Sequence, residues 1–308
     1  MNLAKTIAFL LITVAVVPTV AFYVSDPLTA KQKDVLFHAM YIYVGLTAAT
    51  FMLSEIVRNY SQVDKVWSIA PIVYAWYITY EGGFSDRGVI MSILVTIWGA
   101  RLTYNFGRRG GYSWKFWTGE EDYRWEVLRN KPMFKGKPVV WTLFNLFFIS
   151  SYQMSLIFLF TLPILLSVDA VNPEINYVDI VACALMLFFI ILETIADQQH
   201  YIFQTEKHRK IKAGEKLEGI YADGFLSKGL WGKMRHPNYL GEQMTWVSFY
   251  LFSTAATGQW INWSITGAAL LIFLFNSSSD FSEEISASKY PNYKEYQKKV
   301  PRFVPRLF

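Results

Sequence analysis

Long apolar runs recur along this 308-residue chain, and they decide which solvent it folds in. Eight runs stand out, at roughly 5–24, 35–57, 66–80, 88–106, 139–167, 177–201, 239–256 and 261–280. Most match the roughly 20 residues that a helix needs to cross a hydrocarbon core of about 30 Å. The third is short for that core, so it either tilts little or enters only partly. The fifth contains Pro163, which predicts a kink. Only 17% of the residues are charged, against roughly 25% in ordinary soluble domains. Only helices and closed barrels satisfy their backbones in lipid, and these runs lack the alternation of a barrel. The expected fold is therefore all-α: one polytopic membrane bundle of about seven or eight transmembrane helices. Thr19-Val20-Ala21 loosely resembles a processing site, but a single lysine precedes the first run, so a retained helix is expected.

Charge sets the expected orientation. The 108–137 loop and the 204–236 loop hold eight Lys/Arg each, and the tail from Phe281 holds six. The 168–176 connection has none and carries Asp169 and Glu174. The positive-inside rule then places both large loops and both termini in the cytoplasm. Cys183 is the only cysteine, so no disulfide forms within the chain. The four histidines show no zinc spacing, and no metal is expected. Neither a G-x-G-x-x-G loop nor a P-loop occurs, so any nucleotide would occupy a membrane-type site. The expected partners are the bilayer and a hydrophobic lipid, with no nucleic acid.

Polar residues gather near the predicted cytoplasmic side. In Gly229–Trp246, GLWGKMRHPNYLGEQMTW, the residues Lys233, Arg235 and His236 form a basic cluster before Pro237. Pro237 suits the first turn of a helix. Asn238, Glu242 and Trp246 are four apart and share one helix face. A carboxylate, an amide and an indole facing an apolar bundle are costly unless they bind something polar. The simpler alternative is a snorkelling helix start beside a basic patch. Glu193, Asp197 and His200 share a face near the inner end of the sixth run, where the acids either pair with a loop arginine or hold ligand hydroxyls.

Arg101, Asn105 and Arg108 form a stripe suited to phosphate, with snorkelling as the alternative for Arg108. Asp64 either caps the third run or donates a proton, and capping is the commoner role. Glu120–Trp125 reads as an interfacial amphipathic helix. In the tail, Glu283 and Glu284 precede Tyr290, Tyr293 and Tyr296, whose spacing makes one face.

GLWGKMRHPNYLGEQMTW, Glu193-x-x-x-Asp197-x-Gln199 and the tyrosine-rich tail resemble the C-terminal domain of the steroid 5-alpha-reductase family, closest to its bacterial-type branch. The resemblance covers roughly residues 55–308 and is most specific in the last third. It implies an NADPH-dependent reductase of conjugated double bonds in sterols and related lipids, in a bacterial plasma membrane or the endoplasmic reticulum. It implies a cofactor site in 138–308 and substrate-side helices in 1–137. Asn238, Tyr239 and Glu242 match the family's N-[FY]-x-G-E cofactor contacts, and Asp197 matches an acid on the cofactor. Arg101, Asn105, Arg108, Glu193, Trp231, Lys233, Arg235, His236, Glu283, Tyr293 and Tyr296 join the expected cofactor set.

The family's catalytic glutamate stands seven residues before a proline, and a tyrosine follows it by 34. Here Asp64 stands seven before Pro71 and Trp98 stands 34 after Asp64, so the spacing survives with both side chains changed. An aspartate remains an acid, whereas tryptophan cannot release a proton; Tyr104 is the next candidate donor. R-H-P-x-Y-x-G-E also resembles the membrane isoprenylcysteine and phospholipid methyltransferases, which use S-adenosylmethionine. A non-catalytic sterol-binding protein is the third alternative.

Overall fold

The structure, a computed structural model, describes residues 3–305. Arg306 of the basic tail lies outside the described residues. Among the described residues thirteen α-helices follow one another: α1 Leu3–Val24, α2 Ala30–Val57, α3 Gln62–Trp67, α4 Ala70–Glu81, α5 Asp86–Gly107, α6 Tyr123–Arg129, α7 Pro138–Phe144, α8 Gln153–Thr161, α9 Tyr177–Lys212, α10 Ile220–Asp223, α11 Pro237–Thr257, α12 Ile265–Lys289 and α13 Tyr293–Lys299. A π-helical segment, Asn145–Tyr152, joins α7 to α8, and 3-10 turns occupy Leu162–Ser167 and Gly229–Gly232. No strand occurs among the described residues. The protein is an all-helical membrane bundle. Among the described residues, five stretches are long and apolar enough to cross a bilayer: Ala4–Val24, Ala30–Val57, Asp86–Gly107, Pro138–Ser167 and Tyr177–Lys212.

The third apolar run is not one span. It divides into α3 and α4, with Ser68 and Ile69 between them. The 12 residues of α4 reach only about 18 Å at 1.5 Å per residue, too short for the bilayer core. At Pro163 the fifth run changes from α8 into a 3-10 turn, the expected response to a residue without an N–H. The last two runs appear as α11, with 21 residues, and α12, with 25, both of spanning length but more polar than the other five.

The helices form two compact units, Met1–Cys183 with Ser248–Leu271, and Ala184–Val247 with Ile272–Phe308. In the first, α4 and α5 form an antiparallel hairpin held by short polar bonds. Thr79 Oγ1 donates to Gly88 O at 3.0 Å, Trp76 Nε1 donates to Thr96 Oγ1 at 3.0 Å, and the Ser68 and Thr103 hydroxyls lie 2.7 Å apart. Gly99 allows the approach, because a Cβ there would sit 2.4 Å from Ser68 O. Arg87, 1% exposed at the start of α5, is paired with Asp179, 2% exposed at the start of α9.

Candidate functional site

Each unit carries part of the polar set read from the sequence. In the first unit, Asp64 sits at the third position of α3, behind the N-cap residue Ser61. Its Oδ2 accepts a hydrogen bond from the Trp125 indole at 3.3 Å. Burial pushes the Asp64 carboxyl above its ordinary range, and the Asp122 carboxylate adds to the rise; Arg124, Ser61 and Trp125 oppose it. Asp122 is buried too, but Arg124 holds it below the usual range through bonds of 2.9 and 2.8 Å. One acid of this pair is thus kept ionised beside another that tends to hold its proton, an arrangement suited to acid–base work.

The segment around Asp64 is mounted on the 108–122 loop through contacts that sequence spacing did not reveal. Asn59 Nδ2 donates to Gly119 O at 3.0 Å, and Gln62 Nε2 donates to Trp117 O at 3.0 Å. Lys65, 0% exposed, donates to Phe116 O at 2.9 Å and Thr118 O at 2.6 Å. Asn59, Gln62 and Lys65 are three apart, the one signal that would have grouped them. The interfacial helix expected near 120–125 is α6, capped by Asp122, whose side chain accepts from Arg124 N.

Helix α5 carries Trp98, Arg101, Tyr104, Asn105 and Arg108. Trp98 is fully buried, and Arg101 is half-buried one turn from Asn105. Asn105 Oδ1 accepts from Arg108 Nε at 3.0 Å and Nη2 at 2.7 Å, so these two stripe residues bond to each other. Tyr104 is 68% exposed, with the Arg108 guanidinium 5.5 Å from its ring centre. That exposure places Tyr104 away from the interior, where a proton donor to a buried lipid would be needed.

In the second unit, α9 and α11 meet at Gly241. A Cβ there would lie 2.6 Å from Glu193 Cβ. This contact brings the acids of α9 against the polar face of α11. Glu193, Asp197 and Glu242 are each 4% exposed. Trp246 Nε1 donates to Glu242 Oε1 at 3.2 Å, and Asn238 Nδ2 reaches Asp197 Oδ1 at 3.5 Å. Asn238 Oδ1 is buried and meets no donor among the described residues. The face read from four-residue spacing therefore points inward, as expected. Gly241→Ala should displace Glu193 and lower the unfolding temperature in detergent while the protein still inserts, as checked by thermal unfolding and a size-exclusion profile.

The basic cluster is placed differently. Arg235 donates to Glu283 from Nε at 2.7 Å and from Nη2 at 3.2 Å, and its Nη1 bonds Gln297 O and Val300 O. His236 Nε2 lies 2.8 Å from Glu283 Oε1. The Arg235 and His236 amides donate to Pro301 O and Arg302 O at 2.9 and 3.0 Å. These residues clasp the C-terminal tail, while Lys233 is exposed. Tyr293 and Tyr296 bury their rings against Phe225, with centroids 5.0 and 5.2 Å away. The Tyr296 hydroxyl donates to Trp231 O, and Trp231 Nε1 donates to Ala196 O at 3.0 Å. Tyr239 stacks on His236 at 5.1 Å. Glu284 is exposed. The expected tyrosine face is thus folded onto its own unit.

His236, Arg235 and Gln297 bond the Glu283 carboxyl and hold it at about 2, although burial alone would raise it. The sign follows from linkage: a depressed carboxyl stabilises the fold fully above its ordinary value near 4.5, and that stability is lost as pH falls toward about 2. Glu283→Gln should cost about 1.5–3 kcal/mol, the worth of charged hydrogen bonds, and should flatten acid sensitivity in that window. Thermal unfolding in detergent between pH 7 and pH 3 checks both.

Among the described residues, no group of three or more His, Cys, Asp or Glu is arranged to hold a metal ion. A family model described as "Protein of unknown function (DUF1295)" matches residues 50–300. A protein of Schizosaccharomyces pombe described as "Uncharacterized protein C594.04c" is 36% identical over 262 residues, covering 81% of this chain and 74% of the yeast protein. No solved structure matches the chain.

Proposed function

The chain belongs to the DUF1295 family of proteins of unknown function, and we propose that it is an NADPH-dependent oxidoreductase acting on a conjugated carbon–carbon double bond of a sterol-like or other lipid enone. The observation that carries this reading is the buried acid–amide cluster of the second unit. Glu193, Asp197 and Glu242 supply acceptors from two helices, and Asn238 Oδ1 is an acceptor still without a donor. A buried amide oxygen without a donor is costly. The ribose hydroxyls and the carboxamide of a nicotinamide dinucleotide are donors of that kind, so the residues fit the nucleoside ends of the cofactor. Its phosphates need cations, and exposed Lys233 is the member of the basic cluster not drawn into the tail clasp.

Bound NADPH would supply the hydride. Glu242 and Asp197 would orient the nucleotide by accepting from it, with the Trp246 indole fixing the Glu242 rotamer. Asp64 would hold the proton that the reduced lipid takes up, because burial keeps its carboxyl protonated to higher pH than usual. The same acid-rich cluster favours a second reading, since carboxylates also suit a sulfonium cation: an S-adenosylmethionine-dependent methyltransferase. A non-catalytic lipid-binding protein is the outcome if neither nucleotide binds.

Asn238→Ala and Glu242→Gln test the reading. Each removes one acceptor, and each should weaken NADPH binding by roughly 10- to 100-fold, the equivalent of about 1.5–3 kcal/mol. Normal NADPH affinity in both variants would make the cluster structural and would remove the basis of the proposal.

A further inference from the structure

The first unit holds an apolar groove beside α1, with a cavity of ≈ 210 Å³. Ile7 and Leu11 of α1, Phe134, Leu143, Phe144 and Phe148 line most of it, and almost none of its surface is polar. Its rim is open, with Leu143 48% and Phe147 54% exposed. Only 6% of the apolar window of α1 is buried, so the groove lies beside a helix that faces hydrocarbon.

Behind the groove runs an aromatic ladder. Phe144 stacks on Phe148 at 5.1 Å and 15°, and Phe148 stacks on Tyr152 at 5.2 Å and 6°. The ladder follows the π-helical segment Asn145–Tyr152, a conformation that is rare and often marks functional sites. Two other polar side chains on this segment are satisfied: Asn145 Nδ2 donates to Ser54 Oγ at 2.8 Å and Glu55 Oε1 at 2.7 Å, and Ser150 donates to Asn145 Oδ1 at 3.2 Å. Tyr152 ends the ladder. It is 1% exposed, and its hydroxyl meets no hydrogen-bond partner among the described residues. A buried phenol without an acceptor is costly, and the Phe148 ring that lines the groove lies directly against Tyr152.

We propose that the groove and the Tyr152 phenol form one lipid site. The occupant is a lipid with a single hydrocarbon chain ending in a carbonyl oxygen. Its chain lies along α1, Leu143 and Phe147, and its oxygen accepts from Tyr152 when the Phe148 ring turns aside. A fully apolar chain would fill the groove and leave the phenol unsatisfied. A charged headgroup would meet no counter-charge in a lining of this kind. The site stands apart from the dinucleotide reading, because lipid binding here needs no nucleotide.

The test uses the full chain in nanodiscs and two probes, a long-chain methyl ketone and an alkane of equal length, each carrying a mid-chain diazirine. Crosslinks should map to α1 and residues 133–148, with the ketone bound several-fold more tightly than the alkane. Tyr152→Phe should weaken ketone binding about three- to ten-fold, the value of one hydrogen bond. It should leave alkane binding unchanged and should not lower the unfolding temperature, because it removes an unsatisfied group. Leu143→Trp, at the exposed rim, should block both probes. Equal ketone binding by wild type and Tyr152→Phe, or crosslinks spread evenly over the apolar belt, would overturn the proposal. A fall in unfolding temperature with Tyr152→Phe would show instead that the hydroxyl is structural.

Discussion

Asp64→Asn should lower turnover by roughly 10²- to 10⁴-fold, the usual contribution of a positioned general acid, while dinucleotide affinity stays within about two-fold. The variant is a clean test because asparagine keeps the shape and can still accept from the Trp125 indole, which donates to Asp64 at 3.3 Å. What it loses is the proton. Burial raises the Asp64 carboxyl, and neighbouring Asp122, held ionised by Arg124, adds to the rise. The protonated fraction is complete below the raised value and disappears as pH climbs through it. Wild-type turnover should therefore fall on the alkaline side of that value, and Asp64→Asn should show no such limb. Full activity in Asp64→Asn would reduce the residue to a member of the α3 first turn. With Tyr104 68% exposed, the donor would then have to be sought among buried hydroxyls.

Arg87→Ala should destabilise the protein by about 3–5 kcal/mol, the typical result of breaking a buried ion pair by removing one partner. Arg87 donates to Asp179 from Nε at 2.8 Å and from Nη2 at 2.9 Å. It also donates to the carbonyls of Asn172 and Glu174 at 2.7 Å each. Asp179 Oδ2 accepts the Asn176 amide at 2.9 Å as well. Alanine would leave a buried carboxylate and two carbonyls without that guanidinium. Replacing both partners together, as in Arg87→Met with Asp179→Leu, should recover much of the loss, because two apolar groups leave no orphaned charge. Unfolding in detergent measures all of these variants. A cost below about 1 kcal/mol for Arg87→Ala would show that water reaches the pair.

The sequence carried what depends on period and composition. Apolar runs located α1, α2, α5 and α9, and four-residue spacing put Asn238, Glu242 and Trp246 on one face, which the structure turns inward against Glu193 and Asp197. Contacts across long sequence separations were not legible. Arg235 read as part of a basic cluster before Pro237, but its partner Glu283 lies 48 residues away, and only the folded tail brings them together. The Arg87–Asp179 pair spans 92 residues, and no spacing rule links them. The break between α3 and α4 was also hidden, since an apolar run cannot show that its helix is interrupted. The π-helical segment had no signature either, because Asn145–Tyr152 keeps the apolar content of its neighbours and differs only in backbone hydrogen bonding.

The buried acid–amide cluster of the second unit is proposed to hold a nicotinamide dinucleotide. Titration calorimetry on the purified full-length protein, with NADPH, NADH and S-adenosylmethionine in parallel, tests it most directly. Saturable binding of NADPH that weakens in Asn238→Ala and Glu242→Gln, with no heat from S-adenosylmethionine, is the predicted result. Saturable binding of S-adenosylmethionine with no response to either dinucleotide would contradict that proposal and would instead identify a methyltransferase site.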